Sequence, residues 1–179
     1  MRYLLAFAHA VDWITDRFGD IAKWAVILAC AISAGNAFIR YGLDISSNAW
    51  LEIQWYLFGG CVMLGASQVL RLNEHVRVDI FYGKLTSKGR VWIDLLGILL
   101  FLMPAMGVLL YYSYPFFLNM FVTGEMSSNA GGLIRWPAAL MLPLGFGLVL
   151  LQGVSEAIKR IGWLTHTYDM DIHYERPLQ

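Results

Sequence analysis

Val91–Phe117 reads VWIDLLGILLFLMPAMGVLLYYSYPFF, and Asp94 is its only charged side chain. A hydrocarbon layer of roughly 30 Å takes about 20 apolar residues of helix to cross. This run exceeds that length, so it reads as a membrane span that tilts or kinks at Pro104. It must be helical, because lipid offers the backbone no hydrogen-bond partner. Three further runs meet the same test, at about 21–39, 51–70 and 136–158. Pro137 falls just inside the start of the last, where a missing N–H costs nothing. Pro104 and Pro143 are interior, which neighbouring helices make tolerable in a membrane. The expected fold class is an all-α integral membrane protein, with four transmembrane helices in a single membrane domain, 1–179.

The composition agrees. Of 179 residues, 58% are hydrophobic and 15% charged, against about 25% charged in a typical soluble domain. The formal net charge is zero, so no basic field points to nucleic acid. Amphipathic aromatics gather at membrane interfaces. Tyr41, Trp50, Trp55 and Tyr56 mark one expected outer edge, and Tyr111, Tyr112, Tyr114 and Trp136 the other. Trp24, Tyr82, Trp92 and Trp163 mark the inner edge.

Residues 1–20 precede the first span. His9, Asp12, Asp16, Asp20 and Lys23 recur at helical spacing, with Leu4, Leu5, Phe7, Val11, Ile14 and Phe18 over much of the remainder. This is an amphipathic helix lying at the interface or leading into the first span. It lacks the clean apolar core and small-residue cleavage site of a signal peptide. Residues 165–179 read as a polar, mobile tail. Of the 13 Lys and Arg, only Arg40 and Arg135 fall in the loops after the first and third spans. The positive-inside rule therefore places both termini and the central loop in the cytoplasm.

Ala25, Ala29, Ser33 and Ala37 fall on every fourth residue of the first span, a spacing that lets another helix approach closely. Ala139, Pro143 and Gly147 repeat it on the fourth. Packing within this chain and contact with another membrane protein both fit. Glu52 opens the second span, where the helix dipole favours a carboxylate, and Arg40 ends the first on the same side. An ion pair between them, or between Glu52 and a partner's cation, is the functional expectation. The central loop, Glu74-His75-Val76-Arg77-Val78-Asp79, alternates charged and apolar residues, as a bland interfacial loop or a salt-bridge network would.

Catalytic chemistry finds no footing. His9, His75, His166 and His173 all lie outside the spans, so paired haem ligands are not expected. Cys30 and Cys61 sit in apolar runs with no CxxC or Cys/His pattern and read as small buried side chains. No hydrolytic, zinc or phosphate-binding motif occurs. No enzyme activity and no cofactor or metal is expected. Midplane charge, the mark of a carrier pathway, is also missing from the spans.

The stretch from Arg40 to Asp79 resembles the small membrane subunit of tripartite ATP-independent periplasmic (TRAP) transporters, the DctQ-type family. The likeness rests on Arg40 ending the first span, Trp50 and Glu52 opening the second, Tyr56 within it, then Gly65, Ala66 and the run from His75 through Arg77 to Asp79. Asn73 and Glu74 stand where the family pattern has a more Gly- or Arg-like turn. The resemblance implies a bacterial inner-membrane scaffold that does not itself bind solute. Its partners would be membrane lipids, a large membrane subunit carrying the solute and sodium sites, and a periplasmic solute-binding protein. Solutes of such systems are mostly organic acids. Arg40, Trp50, Glu52, Tyr56, His75, Arg77 and Asp79 would hold subunit geometry. Two alternatives remain. A homodimeric four-helix exporter would need a carboxylate deep in a span, and a membrane anchor of an enzyme complex would need haem or quinone ligands.

Overall fold

The computed structural model describes residues 1–45, 47–74 and 85–170. Four helices in it are long and apolar enough to cross a membrane: α1 (Arg2–Leu43), α2 (Asn48–Leu72), α3 (Ser87–Thr123) and α4 (Trp136–Leu164). All four run beyond the apolar stretches that announce them.

The longest is α1, with 42 residues. At about 1.5 Å per residue it extends for roughly 63 Å, twice the hydrocarbon thickness. The amphipathic segment at residues 1–20 therefore leads straight into the first span, and no proline interrupts it. Ala8, Val11, Thr15, Gly19, Ala22, Ala25 and Asn36 are its buried residues. They form one stripe at helical spacing along nearly the whole rod, so the N-terminal extension packs on the protein like the span itself.

Asn73 ends α2 in the left-handed region, at φ 60°. The Asn73 N–H donates to Leu70 O at 3.2 Å and the Glu74 N–H to Val69 O at 3.1 Å. This is a Schellman-type cap, in which Asn substitutes for the usual Gly. At the start of α3, the Thr86 hydroxyl accepts from the Gly89 N–H at 3.3 Å, an ordinary N-cap.

The accommodation at Pro104 takes the form of a π turn, Ile98–Leu102, in which the Met103 N–H reaches Ile98 O. A proline donates no N–H and its ring crowds the carbonyl four residues earlier. One wider turn just ahead of Pro104 absorbs both problems without ending the helix.

α4 is the hub. It packs against α1, α2 and α3, whereas α3 makes its contacts almost entirely with α4. Ala22, Leu64 and Leu148 form the junction of α1, α2 and α4, backed by Phe18, Cys61, Met141 and Leu144. Leu95, Ile98 and Ala157 join α3 to α4. α2 and α4 approach closely at Gly145, where an added Cβ would lie 2.7 Å from Met63 Cβ and 2.8 Å from Met63 O. The close approach on α4 is thus at Gly145; at Gly147, which the small-residue spacing singles out, a Cβ would meet nothing within 4 Å.

Of the stripe on α1, Ala25 is buried and Ala29 half-buried, but Ser33 and Ala37 are exposed. Packing inside the chain follows Ala22, Ala25, Ala29, Ile32 and Asn36 instead. The reason is the period: a strict four-residue spacing drifts around a helix of 3.6 residues per turn.

Candidate functional site

Two polar constructions hold the bundle, one near each end of α4. The first lies toward its C-terminal end. Gln152, Ser155, Glu156, Lys159 and Arg160 are all buried there. Their spacing of three and four puts them on the face that meets α1 and α3. Lys159 Nζ lies 2.8 Å from both Asp12 Oδ1 on α1 and Glu156 Oε1 on its own helix. Asp12 Oδ1 also accepts from Gln152 Nε2 at 2.9 Å and Ser155 Oγ at 3.1 Å. Thr15 Oγ1 donates to Gln152 Oε1 at 2.8 Å. Arg160 pairs with Glu156 and reaches Asp94 Oδ2 on α3 at 3.4 Å. Arg71, in the last turn of α2, pairs with Asp16 and stands 4.0 Å from Asp12. All four helices thus meet in one ion-pair network.

Burying these charges singly would cost several kcal/mol each, and only close pairing with further hydrogen bonds offsets it. Of the polar face of the N-terminal segment, Asp12 and Asp16 look inward, while His9, Asp20 and Lys23 are exposed. The segment's apolar residues Tyr3, Leu4, Phe7 and Ile14 are exposed too.

The second construction surrounds Glu52. An isolated bridge between Met126 and Ile134 closes the loop between α3 and α4. The Ser127 N–H donates to Leu133 O, and the Arg135 N–H to Glu125 O, each at 2.9 Å. Glu52 Oε1 accepts from the Ser127 hydroxyl and from Asn129 Nδ2 at 2.8 Å, and Oε2 from the Leu133 N–H at 2.7 Å. Asn48 Nδ2 donates to Ala130 O at 2.9 Å and the Tyr56 hydroxyl to Ile134 O at 3.2 Å. Three residues one turn apart on α2 therefore clasp the loop. Arg135 and Glu125 pair across its base at 2.5 Å.

This corrects two expectations. Glu52 does not pair with Arg40, because both carboxylate oxygens are taken by the loop, and Arg40 is exposed in the last turn of α1. Nor is Glu52 in the first turn of its helix. α2 starts at Asn48, so Glu52 sits one turn in, past the strongest pull of the dipole.

Of the other expected site residues, Trp50 is exposed and Tyr56 half-buried in the clasp. His75, Arg77, Asp79 and Tyr82 lie outside the described residues, as do 171–179 of the expected tail. The tail's first residues turn back: the Thr167 and Tyr168 N–H groups both donate to Gly162 O. The Tyr168 ring approaches His9 with centroids 6.1 Å apart.

Among the described residues no group of three or more His, Cys, Asp or Glu could hold a metal ion. Cys30 is exposed and Cys61 half-buried, and neither is in a disulfide. What these arrangements do chemically is bind helices to one another.

The sequence model of the family described as "Tripartite ATP-independent periplasmic transporters, DctQ component" matches residues 29–162, most of the chain. No curated protein and no solved structure matches it.

Proposed function

The chain belongs to the DctQ component family of the tripartite ATP-independent periplasmic transporters, and we propose that it braces the large membrane subunit of such a transporter while leaving solute binding to its partners. Family and fold together make it a small permease subunit and a multi-pass membrane protein. In the proposed reading the membrane is the bacterial inner membrane and both termini are cytoplasmic. The driving force is a sodium gradient and the cargo an organic acid, delivered by a periplasmic solute-binding protein. The role is transport, not enzymatic.

The observation that supports bracing is where the internal charges go. Lys159 is spent on Asp12 of α1 and Arg160 on Asp94 of α3, while Glu156 pairs with both cations within α4. Glu52 is spent on the loop. A carrier keeps such groups available to its substrate or coupling ion. Here they tie the bundle together instead. Large apolar side chains of α1 and α3, among them Phe38, Tyr41, Leu100, Phe101 and Tyr111, are left exposed to lipid or to another membrane subunit.

The test is uptake by cells that express the rest of the transporter. Deleting this chain should abolish sodium-dependent accumulation of the organic acid and lower the amount of large subunit in the membrane. Unchanged uptake without it would overturn the proposal.

A further inference from the structure

A groove of about 270 Å³ opens between α2, α3 and the start of α4, walled by Tyr56, Phe116, Met120, Ala138 and Leu142, with Arg135 at its end. We propose that it holds one acyl chain of a glycerophospholipid whose phosphate rests on Arg135. The inference does not depend on the bracing role.

Its polarity runs as a lipid's does. Arg135 directly precedes the first turn of α4, a helix long and apolar enough to cross a membrane. Leu142 lies seven residues further on, roughly 10 Å deeper at 1.5 Å per residue. The intervening wall is apolar, and Ala138 and Ala139 supply the space by having small side chains. The Tyr56 hydroxyl is turned to Ile134 O, at the polar end.

Arg135 suits a phosphate. Its side chain is 48% exposed, and one N–H goes to Glu125. A guanidinium carries five donors in a planar fork that matches phosphate oxygens. The groove is smaller than the roughly 300–1,000 Å³ of sites that enclose whole small molecules. A slender chain entering from the bilayer fits it better than a solute entering from water.

The experiment is native mass spectrometry of the full-length protein, released from nanodiscs of mixed zwitterionic and anionic phospholipids. One phospholipid should stay bound after release from the nanodisc. Ala138→Phe, which fills the groove, should lose it. Arg135→Gln should hold it about tenfold more weakly, as expected for losing a charge-assisted contact of about 1.4 kcal/mol. Glu125→Gln breaks the same ion pair but leaves the groove, and should retain the lipid. Inorganic phosphate should not displace it. Equal lipid retention in wild type and Arg135→Gln would overturn the proposal even if Ala138→Phe fails to fold. So would displacement by free phosphate, or a photo-crosslinker at position 138 that captures another membrane subunit and no lipid.

Discussion

Lys159 Nζ on α4 stands 2.8 Å from Asp12 Oδ1 on α1, a contact between residues 147 positions apart. Their side chains are only 8% and 13% exposed. This ion pair ties the N-terminal extension to the hub helix, and Gln152 and Ser155 complete the shell around the carboxylate.

Replacing Lys159 with Met should therefore do more than remove one contact. It leaves Asp12 and Glu156 facing each other without their shared cation, a loss on the order of 3–5 kcal/mol for a broken buried pair. Thermal unfolding in detergent should show a large drop in midpoint. Adding Asp12→Asn to Lys159→Met should recover part of it, since the orphaned charge is then gone. Additive losses in the double variant would show that the two groups are not coupled.

Removing residues 2–19 should destabilise the remaining helices rather than merely release a membrane-surface anchor. The deletion strips Ala8, Val11 and Thr15 from the packed stripe and takes Asp12 from Lys159. Yield and thermal midpoint of the truncated protein should both fall. A truncated protein as stable as the full chain would mean that the extension is an independent surface helix.

The four spans are legible in hydropathy alone, because about 20 apolar residues in a row have few other uses. The polar face of His9, Asp12 and Asp16 is legible too, as a period of three and four. What the face looks at is not: periodicity identifies a stripe, but water, headgroups and a buried Lys159 all satisfy it. Lys159 and Arg160 carried the missing signal, since with Glu156 they repeat the same spacing near the other end of the chain and supply the complementary charge. Glu52 stands out as a carboxylate at a span's edge. Its partners do not, because one is a backbone N–H and two are ordinary loop residues, Ser127 and Asn129, more than 70 positions away.

Gly145→Ala should force α2 and α4 apart, because the new methyl would press on Met63 Cβ and on the Met63 carbonyl. Overpacking of this kind costs about 1–3 kcal/mol. Gly147→Ala, two residues on, meets open space and should be neutral or stabilising through its helix propensity, by up to about 1 kcal/mol. Comparing their unfolding midpoints separates close approach from propensity, and equal effects would contradict the packing described.

Glu52→Gln should loosen the loop between α3 and α4 while leaving the bundle folded. Gln keeps one acceptor oxygen, so it cannot serve Leu133 on one oxygen and Ser127 with Asn129 on the other. Hydrogen exchange at the Leu133 amide should accelerate, and Arg40→Gln should leave that amide unchanged. Acceleration in Arg40→Gln instead would restore the pairing between Arg40 and Glu52.

The most direct measurement is affinity purification of this chain from its native membrane in mild detergent, with identification of what accompanies it. If the chain is a brace, a large polytopic membrane subunit copurifies, and Lys159→Met reduces its yield in step with the loss of stability. A chain that purifies only with itself, and transports solute when reconstituted alone, would contradict the bracing role outright.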